Sequence, residues 1–184
     1  MIQSDKFDSS NMDIKKLSNS ALLFVIKRLI EIFGVSVSLI GILIFISLIS
    51  YSPEDPNFIF PENTEIKNIL GYQGSWMSDL ILQSIGLIAY LLPITYIFTG
   101  LNIFKKKEVL LVIENTFLII LYSIFGSLFF SIFFSENFGL YINGSGGFIG
   151  NYLEKTFIGN FIKSYESFFL ISLLFYSYLD LNFF

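Results

Sequence analysis

The sequence contains no cysteine and no histidine in its 184 residues. Their absence removes thiolate and imidazole metal sites, disulfides, cysteine nucleophiles, histidine general bases and the Ser-His-Asp triad together. It says nothing of redox compartment, because there is no thiol to oxidise. Charge is scarce too. Only 14% of the residues are Asp, Glu, Lys or Arg, against about 25% in a soluble domain, and long stretches carry none. The net charge of −4 excludes the basic footprint of an ordinary nucleic-acid binder. No Walker A or Walker B sequence is present. No cofactor, metal, ATP or direct nucleic-acid contact is expected, and no catalysis.

What fills the chain is apolar: 54% of it, including 23 Phe. A bilayer core about 30 Å thick needs about 20 such residues in a helix. Four stretches qualify as spans of an all-α polytopic membrane protein: about 29–51, 80–104, 109–134 and, less sharply, 167–184. Glu31 and Glu114 are the only charges in the first and third, and Asp180 lies near the end of the fourth. Residues 1–28 are too polar for a signal peptide and read as a flexible cytoplasmic tail before a membrane domain over 29–184.

Lys and Arg near span ends set the orientation. The tail carries Lys6, Lys15, Lys16, Lys27 and Arg28, and the second-to-third connection carries Lys105, Lys106 and Lys107. The other two loops are acid-balanced, with Lys67 against Glu54, Asp55, Glu62, Glu65 and Asp79 in the first. Both termini are therefore expected inside, and the loops around 52–78 and 135–165 outside. In the last loop, apolar residues from Phe148 to Tyr165 recur with helical, one-sided spacing. That predicts a short amphipathic helix in the outer interface, with Gly159-Asn160 as its break. The alternative is a fourth span running from Thr156 to Tyr178.

Several short patterns stand out. Tyr51-Ser52-Pro53-Glu54-Asp55-Pro56-Asn57-Phe58 leaves the first span, and its Pro53 and Pro56 forbid further helix. The bland reading is a helix stop; the functional one is an exposed epitope. Asn143-Gly144-Ser145-Gly146-Gly147-Phe148-Ile149-Gly150 lacks the lysine of a phosphate loop and reads as a turn opening a helix. Pro93 inside the second span reads as a kink. Ser123, Ser127 and Ser131 recur every four residues beside Gly126, as Gly34 and Ser38 do on the first span. Such small residues let helices approach closely, within one chain or between copies.

Taken in order, these stretches resemble a known arrangement. After the first span comes Tyr51-Ser52-Pro53-x-Asp55-Pro56, then Gly71-x-x-Gly74-Ser75-x-x-Ser78-Asp79-Leu80, then Ala89-Tyr90-x-x-Pro93. Gly144 to Gly150, with Gly146-Gly147-x-x-Gly150, follows the third span. This resembles the four-span N-terminal membrane domain of the FtsK/SpoIIIE family of bacterial DNA translocases. The resemblance covers about residues 29–184. It implies a multi-pass inner-membrane anchor at the division septum that contacts division proteins and self-associates, in service of chromosome segregation. In that family a cytoplasmic motor follows, and its activity is not carried over to these residues. The interaction positions implied are Tyr51, Pro53, Asp55, Pro56, Gly71, Gly74, Asp79, Tyr90, Pro93, Gly144, Gly146, Gly147 and Gly150, with Ser123, Ser127 and Ser131 as a packing stripe. A small transporter or channel subunit is the rival reading; it requires polar residues around a shared pore.

Overall fold

The computed structural model describes residues 2–56, 65–134 and 143–164, with side chains over 19–56, 65–134 and 143–162. The fourth expected span, 167–184, lies outside the described residues. Six α-helices appear among those described: α1 (Ile2–Ile49), α2 (Gly71–Ile85), α3 (Leu91–Lys106), α4 (Leu111–Phe133), α5 (Gly147–Glu154) and α6 (Phe157–Ser164). A 3-10 segment, Gly86–Tyr90, joins α2 to α3. Three stretches are long and apolar enough to cross a membrane: Asn19–Ile49, Gly71–Lys106 and Leu111–Phe133. Because α1 begins at Ile2, the backbone of the segment read as a flexible tail is helical.

Helices α1 and α3 run antiparallel, joined along a stripe of small residues. In lipid there is little hydrophobic force between helices, so close packing must hold them. A Cβ on Gly34 would come within 2.8 Å of the Gly100 carbonyl, and one on Gly41 within 2.9 Å of the Pro93 carbonyl. Between them Ser38 Oγ donates to the Ile97 carbonyl at 3.0 Å. One end of the seam is closed by Glu31, whose carboxylate meets Arg28 at 2.6 Å and Lys107 at 2.7 Å. Lys107 ends α3 in the left-handed conformation, φ 62. The turn it makes returns the chain antiparallel into α4. There the seam is polar: Thr95 Oγ1 lies 3.2 Å from Tyr122 Oη, and Asn115 Nδ2 donates to Thr99 Oγ1 at 2.7 Å.

The second span departs from its expected course. As one rod, the 36 residues of Gly71–Lys106 would measure about 54 Å, far beyond a bilayer core of about 30 Å. The chain breaks instead at Gly86, whose φ 70 and ψ −147 belong to a region that only glycine occupies without strain. Neighbouring residues on α1 touch both sides of the break: Ser47 donates to the Gly74 carbonyl at 2.6 Å, and Tyr90 Oη donates to that of Leu48 at 3.3 Å. Helix α2 therefore lies across the end of the bundle instead of extending α3. Pro93 is not where the chain bends. It is the third residue of α3, just past the 3-10 turns, where the hydrogen bond it cannot make is least missed. The core gathers beneath α2, from Leu48, Leu82, Ile85, Ile88, Ala89, Ile119 and Tyr122.

The expected external amphipathic helix is two helices. The break falls at Lys155-Thr156, and Gly159-Asn160 lies inside α6. Thr156 makes the turn, its N–H and hydroxyl both reaching the Leu153 carbonyl, at 3.0 and 2.6 Å. Gly159 is the buried residue that lets α6 lie against the Glu154 backbone.

Candidate interaction surface

The loop end of the bundle is a layer of buried polar side chains. Its first half ties down the loop after α1. Asp55 is 4% exposed, and its two carboxylate oxygens accept the N–H groups of Lys67 and Asn68, each at 2.8 Å. A carboxylate holding two backbone donors is a strong clasp, because these bonds are charge-assisted. Asn68 is equally buried. Its Nδ2 donates to the Ser47 carbonyl at 2.9 Å, and its Oδ1 accepts from the Leu70 N–H at 3.1 Å. That steers the chain into α2. Ser75 then donates to the Pro56 carbonyl at 3.0 Å, fixing the far end of the turn. Outside this clasp Glu54 pairs with Lys67 in the open. The ammonium holds the Glu54 carboxyl below its ordinary range, and the carboxylate raises the Lys67 pKa. An exposed pair of this kind adds little stability.

The second half ties the glycine-rich turn to α4 and to the break in α2. Ser145 Oγ lies 2.9 Å from the carbonyls of both Phe130 and Phe134, groups left open at the end of α4. The Ser145 carbonyl accepts from the Leu87 N–H at 2.8 Å. Gly147, at φ 64, packs so closely that a Cβ there would lie 2.5 Å from the Gly86 nitrogen. Ser127 donates to the Gly146 carbonyl, and Ser131 meets Asn151 Oδ1 at 3.0 Å together with the Glu154 carboxylate.

The two halves join through α2. Tyr51 Oη donates to Asp79 Oδ1 at 3.0 Å, and Gln83 Nε2 reaches the same oxygen at 3.5 Å. Asn143 Nδ2 donates to the Gln83 backbone and side-chain oxygens, both at 3.3 Å, while its own carbonyl accepts from Asn151 at 2.6 Å. A polar path thus runs from the end of α1 through α2 to α5 and α4. It holds the loops in register and places no acid beside a base aimed at a cleft. Among the described residues no group of His, Cys, Asp and Glu could hold a metal.

Most residues singled out from the sequence sit in this layer. Asp55, Pro56, Gly74, Ser127, Ser131, Gly146, Gly147 and Gly150 are buried in it, and Tyr51 and Asp79 are half-buried. Pro53 is exposed; Gly71 and Gly144 have φ 67 and 62 and open space beside them. Tyr90 reaches α1, and Pro93 lies in the α1–α3 seam. Ser123 is buried deeper on α4, and its hydroxyl has no hydrogen-bond partner among the described residues. Ser47, Asn68, Gln83 and Asn143 were missed. They are common polar residues, and only the folded chain shows what they join. Glu114 is exposed at the start of α4.

This architecture defines a polytopic helical membrane domain with hydrogen-bonded loops and no catalytic centre among its described residues. The chain belongs to the family formed by the 4TM region of DNA translocase FtsK/SpoIIIE, whose model matches residues 26–181. It is similar to DNA translocase FtsK of Azospirillum brasilense, 32% identical over 47% of this chain and 14% of that protein. It is similar to the same-named proteins of Shewanella oneidensis, 33% identical over 48% of this chain and 10% of that protein, and Rickettsia bellii, 31% identical over 50% and 11%. The matched stretch is thus a small part of each relative. No solved structure matches the chain.

Proposed function

We propose that this chain is the membrane-anchoring and interaction module of an FtsK-like DNA translocase, serving cell division and chromosome segregation at the septum of a bacterial inner membrane. The observation that carries the proposal is the family match over residues 26–181. The DNA translocation for which the relatives are named is not assigned to these residues. In this reading the N-terminal segment and the Lys105–Lys107 turn face the cytoplasm, and the α2 layer faces outward.

The buried motif residues act as a frame, and the surface they hold outward meets division proteins or other copies of the chain. Ile69, Tyr72, Met77 and Leu80 are exposed there, on and just before α2. Large apolar side chains grouped on an outer face mark a contact site. The bilayer covers the remaining apolar surface. A fluorescent fusion of the chain in dividing cells tests this. A midcell band that disperses in Tyr72→Lys with Met77→Lys, while membrane insertion persists, is the expected result. Uniform membrane fluorescence of the unaltered chain contradicts it.

A further inference from the structure

We propose that α5 and α6 form a bent aromatic anchor, inserted into the boundary between headgroups and acyl chains in the leaflet at the loop end. Lipid is then the occupant of their outward face. The first observation is division of labour around α5. Gly147, Gly150, Asn151 and Glu154 face inward, against the α2 break and the Ser127–Ser131 stripe. That leaves Phe148 and Tyr152 outward, 61% and 64% exposed and stacked at 6.3 Å. Beyond the turn at Lys155-Thr156, Phe157 and Ile158 continue the apolar face, Phe157 at 80% exposure.

The second observation is height. Helix α5 does not sit above the bundle. The Ser127 and Ser131 contacts hold it beside the last turns of α4, which ends at Phe133. At 1.5 Å per residue, Ser127 lies about 9 Å inside that end. Amphipathic helices in a membrane interface sit about 5–10 Å into the boundary. The third is continuity. The same turns of α4 carry a cluster of rings, with Phe129 centroids 5.2 Å from Phe133 and 5.7 Å from Phe134. Aromatic rings gather at this depth in membrane proteins. The fourth is charge. Glu154 is turned to Ser131, away from the outward face, and Lys155 is exposed at the bend, where its long chain reaches headgroups.

The cysteine-free sequence allows a test without background. Full-length chain carrying Phe148→Cys, Tyr152→Cys, Phe157→Cys or Lys155→Cys, one at a time, is spin-labelled. Each is placed in liposomes of phosphatidylethanolamine and phosphatidylglycerol. All four side chains are exposed, so none removes internal packing. Collision with oxygen, which partitions into lipid, is compared with collision with an aqueous nickel chelate. The expected result is oxygen access several-fold above nickel access at 148, 152 and 157, with the order reversed at 155. Nickel access equal to or above oxygen access at the three aromatic positions places the face in water and overturns the proposal. Low access to both, relieved when protein is diluted in lipid, makes a second copy the occupant and overturns it equally.

Discussion

Along α1 and α3 two helices meet almost backbone to backbone, and the residues that matter are those with little side chain: Gly34, Ser38, Gly41 and Gly100. At the loop end the chain is held by directed hydrogen bonds from Asp55, Asn68, Tyr51, Ser131 and Ser145. The difference follows the solvent. Within lipid, helices gain little by hiding apolar surface from one another, so contact area and dispersion decide. At the boundary, irregular backbone must find partners, because an unpaired buried N–H or C=O costs about 1–3 kcal/mol. The two regions should therefore fail to opposite kinds of substitution.

The largest effect is expected where both constraints coincide. Gly86→Ala imposes a side chain on a glycine-only conformation and drives it into the Ser145 and Gly146 backbone. Backbone strain and overpacking together predict a loss of about 2–5 kcal/mol, measured by SDS-titrated unfolding of the purified chain followed through Trp76. Next comes Asp55→Ala, which orphans the buried N–H groups of Lys67 and Asn68 and should cost about 1–3 kcal/mol. Asp55→Asn, keeping one acceptor, should recover part of that. A loss from Asp55→Ala no larger than a surface substitution would remove the clasp from the account.

The seam is sharpened by a pair. Gly34→Ala, with 2.8 Å to the Gly100 carbonyl and to the Phe104 nitrogen, is expected to cost about 1–3 kcal/mol by overpacking. Ser38→Ala removes a hydrogen bond from the same stripe and should cost only about 0.6 kcal/mol, the average for such bonds between membrane helices. The reverse order would break the comparison. The smallest effect belongs to Glu54. Its carboxyl is held low by Lys67, so what the pair contributes is present at neutral pH and fades as the pH falls below the ordinary value of 4.5. Glu54→Ala should leave the unfolding midpoint at pH 7 almost unmoved, and any residual difference from wild type should vanish in acid.

The all-helical, polytopic character was legible because runs of apolar residues with single charges have few other uses. The segment read as the third span, 109–134, contains α4, and the helical spacing after Phe148 reappears as α5 and α6. What escaped was geometry rather than composition. Hydropathy runs smoothly through Gly86, so nothing in the residue types separates α2 from α3; only the dihedral angles of that glycine do. Pro93 was the louder signal for a bend, yet its ring is accommodated in the first turn of a helix. Gly159 looked like a break and is a packing contact. Of the layer, the residues with turn or small-residue signatures were visible, whereas Asn68 and Gln83 carry no local pattern that announces a partner distant in sequence.

The central claim is that the glycine-rich turn is drawn down beside α4 and onto the α2 break, so that the loop end is one unit. The most direct measurement is cross-linking of Ser131→Cys with Asn151→Cys in the otherwise cysteine-free chain, oxidised mildly in membranes and read by protection from a thiol-reactive mass tag. Their side-chain oxygens lie 3.0 Å apart, so a bond within a single chain should form rapidly and nearly completely. Both thiols remaining open to the tag, or bonds only between chains, would contradict it.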